Sequence, residues 1–175
     1  AQTYFAEFNV SEQLSSARLS AVLDLPEVAF PIAQRDIATG TQTLGGAAAF
    51  TVADGTNVLE YCSRIQQSEQ GRLFMARDGN LVFDARLGNT LSGSIADFHD
   101  DGTNYRYSGV GITFEADQVV NRASVTIAGS NSPQVAEDAA SQAVYFIQTE
   151  SITESLLHND AAALTLAEYL LEGEP

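Results

Sequence analysis

Lysine is absent from the chain, cysteine and methionine occur once each, and no positive charge of either kind follows Arg122. Eight arginines against 23 acidic residues leave a formal net charge of −15 over 175 residues. No basic cluster resembles a nucleic-acid footprint, so sequence-specific nucleic acid is not among the expected partners. The eight carboxylates from Glu137 to Glu174 make a surface that repels DNA and anionic membranes unless a partner covers it. The lone thiol, Cys62, excludes an intrachain disulfide framework and a multi-cysteine zinc site. No apolar run approaches the ~20 residues that a membrane span requires. The opening Ala-Gln-Thr, with no initiator Met and no apolar signal core, and the closing Glu-Gly-Glu-Pro read as the ends of a piece cut from a longer protein.

What is present is a folded composition. Hydrophobic residues make up 45% of the chain, and a chain of this length buries roughly two thirds of the surface its unfolded form exposes. Tyr4, Phe5, Phe8 and Val10 carry a strand-like pattern, and Ser11 is placed to cap a helix on which Leu14, Arg18, Ala21, Val22 and Leu25 recur before Pro26 ends it. Val28 to Ile37 reads as extended, interrupted at Pro31. Residues 38–49, with Gly40, Gly45, Gly46 and three alanines, read as a flexible connection.

Helical spacing returns between Asp54 and Gln70. Val58, Tyr61, Cys62 and Ile65 share one face, Glu60, Arg64, Gln67 and Ser68 the other, with Asp54 or Thr56 as cap and Gly71 as the left-handed residue that closes the helix. Two β-type runs flank Asp78-Gly79, the dipeptide of a two-residue hairpin turn, which sets Phe74 opposite Phe83 and Ala76 opposite Leu81. A second hairpin is expected from Ile95 to Phe98 and from Tyr105 to Phe114, with an Asp97–Arg106 pair across it and a bulge or bend at Gly109 and Gly111. Arg122 to Ala128 alternates as a strand that ends in a Gly129–Pro133 turn. Residues 136–143 suggest a short helix, Val144 to Thr153 an extended run, and Asn159 the cap of a last helix lined by Ala163, Leu166, Ala167 and Leu170. The fold class is α+β, with mixed antiparallel hairpins and three to four helices. Residues 1–53 form an N-terminal strand and helix part with its connection, and residues 54–175 the main α+β part, the whole being one domain.

No residue set specifies chemistry. Cys62 lies on an apolar helix face and reads as a small buried hydrophobe. His99 with Asp100 and Asp101 has the donor types of a cation site, but Asp-Gly beside polar residues is ordinary turn chemistry. His158 reads as a solvent-facing loop residue. Nucleophile-elbow, phosphate-loop, zinc-protease and dinucleotide motifs are all missing. The glycines at 40, 45 and 46 are not followed by a helix start with cationic help. No catalytic residue, metal or cofactor is therefore expected, and adhesion is assigned to apolar and aromatic surface, with Tyr4, Phe5, Phe8, Tyr105 and Tyr107 as candidates.

The order of Asn57-Val58-Leu59-Glu60-Tyr61, Ser68-Glu69-Gln70-Gly71-Arg72-Leu73-Phe74 and Asp78-Gly79-Asn80-Leu81-Val82-Phe83 with Arg86 is distinctive. Val119-Val120-Asn121-Arg122-Ala123-Ser124-Val125-Thr126, Ala139-Ala140-Ser141-Gln142 and Ala161 to Leu171 follow. Over residues 54–172 this order resembles the hub-type minor tail proteins of tailed bacteriophages. The chain departs from them at Tyr145-Phe146, where members often carry Tyr-Gly. The resemblance implies a phage tail hub-like fold and a structural role in the virion, at the tail tip or baseplate. It implies a ring, often threefold, built from copies of the chain, contacting the tail tube, the distal tail and the tape measure. It supplies no catalytic residues. Carboxylates facing the channel of such a ring would keep a passing genome from adhering; the rival account of the acidic excess is solubility. Two other readings make different demands. A tail-associated cell-wall or polysaccharide hydrolase needs two close acids, one with a raised pKa. A host-carbohydrate-binding module needs an exposed strip of tyrosines.

Overall fold

The computed structural model describes residues 3–7, 9–46, 50–86, 109, 111 and 119–172. The second expected hairpin and its ion pair lie outside them, as do His99, Asp100 and Asp101. Tyr4 makes a single bridge to Asn57 instead of starting a strand. A two-residue strand, β1 (Gln13–Leu14), runs into helix α1 (Ser15–Asp24), so Leu14, not Ser11, holds the cap position. No side chain caps α1; the Ser15 N–H donates to the Gln42 carbonyl at 3.0 Å, and a distant loop does what Ser11 was placed to do. Arg35 closes the other end, pairing with Asp24 at 2.7 Å and donating to the Leu23 carbonyl at 3.1 Å.

A 3-10 turn (Ile32–Gln34) and strands β2 (Arg35–Ile37) and β3 (Thr43–Leu44) follow. Residues 38–46 are not a flexible connection. Leu44 is fully buried, β3 pairs with β1, and a Cβ on Gly46 would sit 2.4 Å from the Glu12 nitrogen. Glycine is used there for close backbone approach, which composition alone does not distinguish from looseness.

Helix α2 (Val58–Glu69) buries Val58, Tyr61, Cys62 and Ile65 as its spacing predicts. Its cap is Asn57, whose side chain accepts from the Leu59 and Glu60 nitrogens, and its left-handed closing residue is Gln70 at φ 55°. Gly71 serves instead to let the Asp84 carbonyl approach, 2.3 Å from where a Cβ would stand. Strands β4 (Arg72–Met75) and β5 (Leu81–Asp84) form the hairpin, one residue out of the expected register. Leu73 pairs with Phe83 and Phe74 with Val82. The turn holds Arg77, Asp78 and Gly79 rather than two residues: the Ala76 N–H donates to Asn80 O at 2.7 Å, and Gly79 takes φ 88°. The shift turns Phe83 and Leu73 onto the core and leaves Phe74 exposed.

Strand β6 (Arg122–Ile127) lies between β7 (Gln134–Glu137), antiparallel to it, and β8 (Thr149–Ser155), parallel to it. Helix α3 (Ala139–Tyr145) makes the crossover. β7 occupies residues that read as the start of a helix, and α3 ends on residues that read as extended. Helix α4 (Asp160–Glu172) starts where expected, with Asn159 Oδ1 accepting from the Ala162 nitrogen at 2.8 Å, and it buries Ala163, Leu166 and Ala167 against Ala123, Val125 and Ile152. The described residues thus form an α+β fold with four α-helices and three small sheets.

Two apolar cores meet at Leu156-Leu157. Leu156 belongs to the core around Phe5, Leu19, Tyr61 and Phe83, and Leu157 to the core beneath α4. The segment is held from both sides. Ser68 Oγ accepts from the Leu156 N–H at 2.9 Å, and Leu156 O accepts from Gly45 N–H at 2.8 Å. Ser68 is therefore buried rather than on a solvent face. Two charged side chains are fully buried in the first core. Arg18 donates to Tyr61 Oη, Ser11 O and Gly45 O at 2.7 to 2.8 Å, and Glu69 accepts from Ser15, Thr41 and Gln42.

Candidate functional site

The β7–β8 crossover converges on one buried side chain. Asn121 is fully buried; its Nδ2 donates to Phe146 O at 2.6 Å, its Oδ1 accepts from Gln148 N at 2.8 Å, and its own carbonyl accepts from Asp138 N and Gln142 Nε2, both at 3.0 Å. Entry to and exit from α3 are thereby tied to the residue just before β6. Asp138 caps the helix through the Ala140 and Ser141 nitrogens.

These polar ties are needed because α3 buries no residue, and a seven-residue helix has little stability of its own. The apolar residues at its C-terminal end and just beyond are exposed among the described residues. Val144, Tyr145, Phe146 and Ile147 are 67%, 45%, 82% and 59% exposed, a contiguous apolar tip of the kind that marks a contact surface. Phe146 has φ 60° and ψ −176°, a region populated almost solely by glycine, where a side chain costs about 1–3 kcal/mol. Carboxylates flank the tip in sequence at Glu137, Asp138 and Glu150, and Arg122 is engaged by Glu137 at 3.1 Å across the β6–β7 pair.

Several expected residues are placed elsewhere. Cys62 is buried, and burial pushes its thiol up to about 11, so it stays protonated and inert. His158 is not a free loop residue: its Nδ1 lies 3.1 Å from the Thr43 carbonyl, which can only accept, so Nδ1 carries the proton and Nε2 accepts from Asn159. Phe5 is buried and edge-on to Tyr61, whereas Tyr4 is exposed; Phe8, Tyr105 and Tyr107 lie outside the described residues. Tyr169 lies under the Arg86 guanidinium, 4.2 Å from its centre. The exposed tyrosines among the described residues, Tyr4 and Tyr145, are on different elements.

Hollows among the described residues include one of about 520 Å³ lined by Ser63, Gln66 and Gln67 of α2 and by Gln70 just after it, with Glu150 as its single carboxylate, and a smaller one of about 170 Å³ with Glu154 as its single carboxylate. A third, of about 470 Å³, carries Glu137, Glu168 and Glu172 between β7 and α4. Burial alone raises the pKa of Glu69, but the hydrogen bonds from Ser15, Thr41 and Gln42 outweigh it and lower the value, the opposite of a general acid. The tip was legible only as a run of four apolar residues after a polar stretch; the extended reading of 144–153 hid its exposure.

No family model matches the chain, and no curated protein matches it. The chain is similar in fold to the crystal structure of the tail protein from Neisseria meningitidis MC58, with a TM-score of 0.56 and 15% identity. The likeness covers 97% of this chain and 49% of that one, so the chain spans about half the length of that tail protein and shares its fold across that span.

Proposed function

We propose that the chain is a structural component of a phage tail, located in the virion. It acts as a hub-type module of the tail tip or baseplate, closing into a ring with copies of itself and joining the tail tube to distal parts. The observation that carries this reading is the fold shared with a tail protein over nearly the whole chain. The exposed apolar tip supports it, since such a surface is used against protein. The acidic excess fits a ring whose lumen passes a genome without holding it. Function is then association: no bond is made or broken, and specificity lies in which surfaces meet.

Electron microscopy of the purified chain at high concentration tests the ring. Closed rings of uniform size, threefold in projection, are the expected result. Single globular particles at every concentration would contradict it, and release of soluble sugar or peptide from host cell-wall material would move the chain to the hydrolase class.

A further inference from the structure

We propose that the tip Val144–Ile147 of one copy docks on the outer side of the β4–β5 hairpin of a second copy, in a head-to-tail contact. The inference rests on the ring reading and names the two surfaces that build it.

Among the described residues nothing covers the tip. Phe146 keeps a phenyl ring in a glycine-type backbone conformation while that side chain is 82% exposed, so the strain is not offset by packing against the described residues, and a second copy is the occupant assigned to it. Asn121 holds the Phe146 carbonyl and the Gln148 N–H in place before any partner arrives, which lowers the ordering cost of docking.

Charge selects the partner surface. The segment after Arg122 has no cation, and Arg122 itself is engaged by Glu137. A second tip would bring carboxylates against carboxylates, so a symmetric tip-to-tip contact is disfavoured. The complementary surface needs exposed apolar side chains beside a free guanidinium. Among the described residues the arginines elsewhere are committed: Arg18 is buried, Arg35 pairs with Asp24, Arg64 with Glu154, and Arg86 stacks on Tyr169. The hairpin differs. On β4, an edge strand of its sheet, Phe74 is exposed on the outer face with Arg72 two positions before it, and Met75 is exposed at the strand's end. Arg77 is exposed in the turn with no ion pair among the described residues; its neighbour Asp78 turns its carboxylate to the Asn80 N–H and Nδ2, and Arg72 is only loosely paired, 3.9 Å from Asp84. Tip and hairpin are different surfaces, so each copy offers one of each and the contact propagates until a ring closes.

Two substitutions test the assignment by sedimentation velocity over a wide concentration range. Phe146→Gly removes the tip's central side chain and relieves its backbone, so it should melt higher than the wild type, and its loss of association is then not a folding defect. Arg77→Glu reverses the charge of an exposed turn residue. Each alone should weaken self-association by about tenfold or more, as for a central contact residue. An equal mixture of the two should give one-to-one dimers and nothing larger, because the tip of Arg77→Glu still fits the hairpin of Phe146→Gly. Assembly unchanged in both variants would overturn the docking assignment while leaving the ring reading in place. Variants that fail to pair when mixed would also overturn it, and a wild type that stays monomeric would remove both readings.

Discussion

Arg18→Ala lowers the melting temperature by about 8–16 °C, read by circular dichroism. Arg18 is fully buried on α1, and its guanidinium spans Tyr61 Oη at 2.8 Å and the Ser11 and Gly45 carbonyls at 2.7 Å. Truncation leaves a large cavity and takes a charged donor from two backbone acceptors, a combined loss of about 4 kcal/mol. At about 2–4 °C per kcal/mol for a domain of this size, that gives the shift stated. Arg18→Lys should recover little, because a single ammonium cannot reach three acceptors that a planar fork bridges. A shift within about 2 °C for Arg18→Ala would show that the network does not hold α1 to α2 and the Gly45 segment.

Glu69→Gln has the second largest effect, about 2–3 kcal/mol, together with a changed dependence on acid. The carboxylate accepts from Ser15 Oγ at 2.7 Å, Thr41 Oγ1 at 2.7 Å and the Thr41 and Gln42 nitrogens at 2.9 Å. An amide presents an N–H to one of these donors. Burial alone would raise the pKa of Glu69, but these hydrogen bonds bring it below the ordinary glutamate value. As pH falls the unfolded chain therefore takes up this proton first. The stability contributed by Glu69 is complete above the ordinary pKa of about 4.3 and is lost as pH falls through the lower folded value. Urea unfolding across an acid pH series should show a flatter acid limb in Glu69→Gln. An unchanged slope would exclude Glu69 as a source of that limb.

Apolar periodicity made the α2 face, the α4 face with its Asn159 cap and the β6 strand legible, because each is set within a few residues of sequence. The spacing set Arg18 on the same helical stripe as Ala21 and Val22, where the structure buries it, but neither its partners nor the burial of Glu69 was legible, because the groups that bind them are remote, with Ser15 and Glu69 54 positions apart. The same long reach placed Leu14 rather than Ser11 at the start of α1, since the Gln42 carbonyl satisfies the Ser15 N–H. In the hairpin, Asp78-Gly79 marked the turn but not its length, and the third loop residue moved every pair by one. Phe146 was opaque for a different reason. A phenylalanine predicts extended backbone, and the positive φ of Phe146 goes with a remote clamp, Asn121 holding the Phe146 carbonyl and the Gln148 N–H just after it.

Hydroxyl-radical footprinting of Tyr145 and Phe146, in dilute and in concentrated protein, tests most directly whether this chain works by fitting against other chains. Both side chains should label strongly when dilute and become protected as the protein assembles. Equal labelling at every concentration would contradict the account.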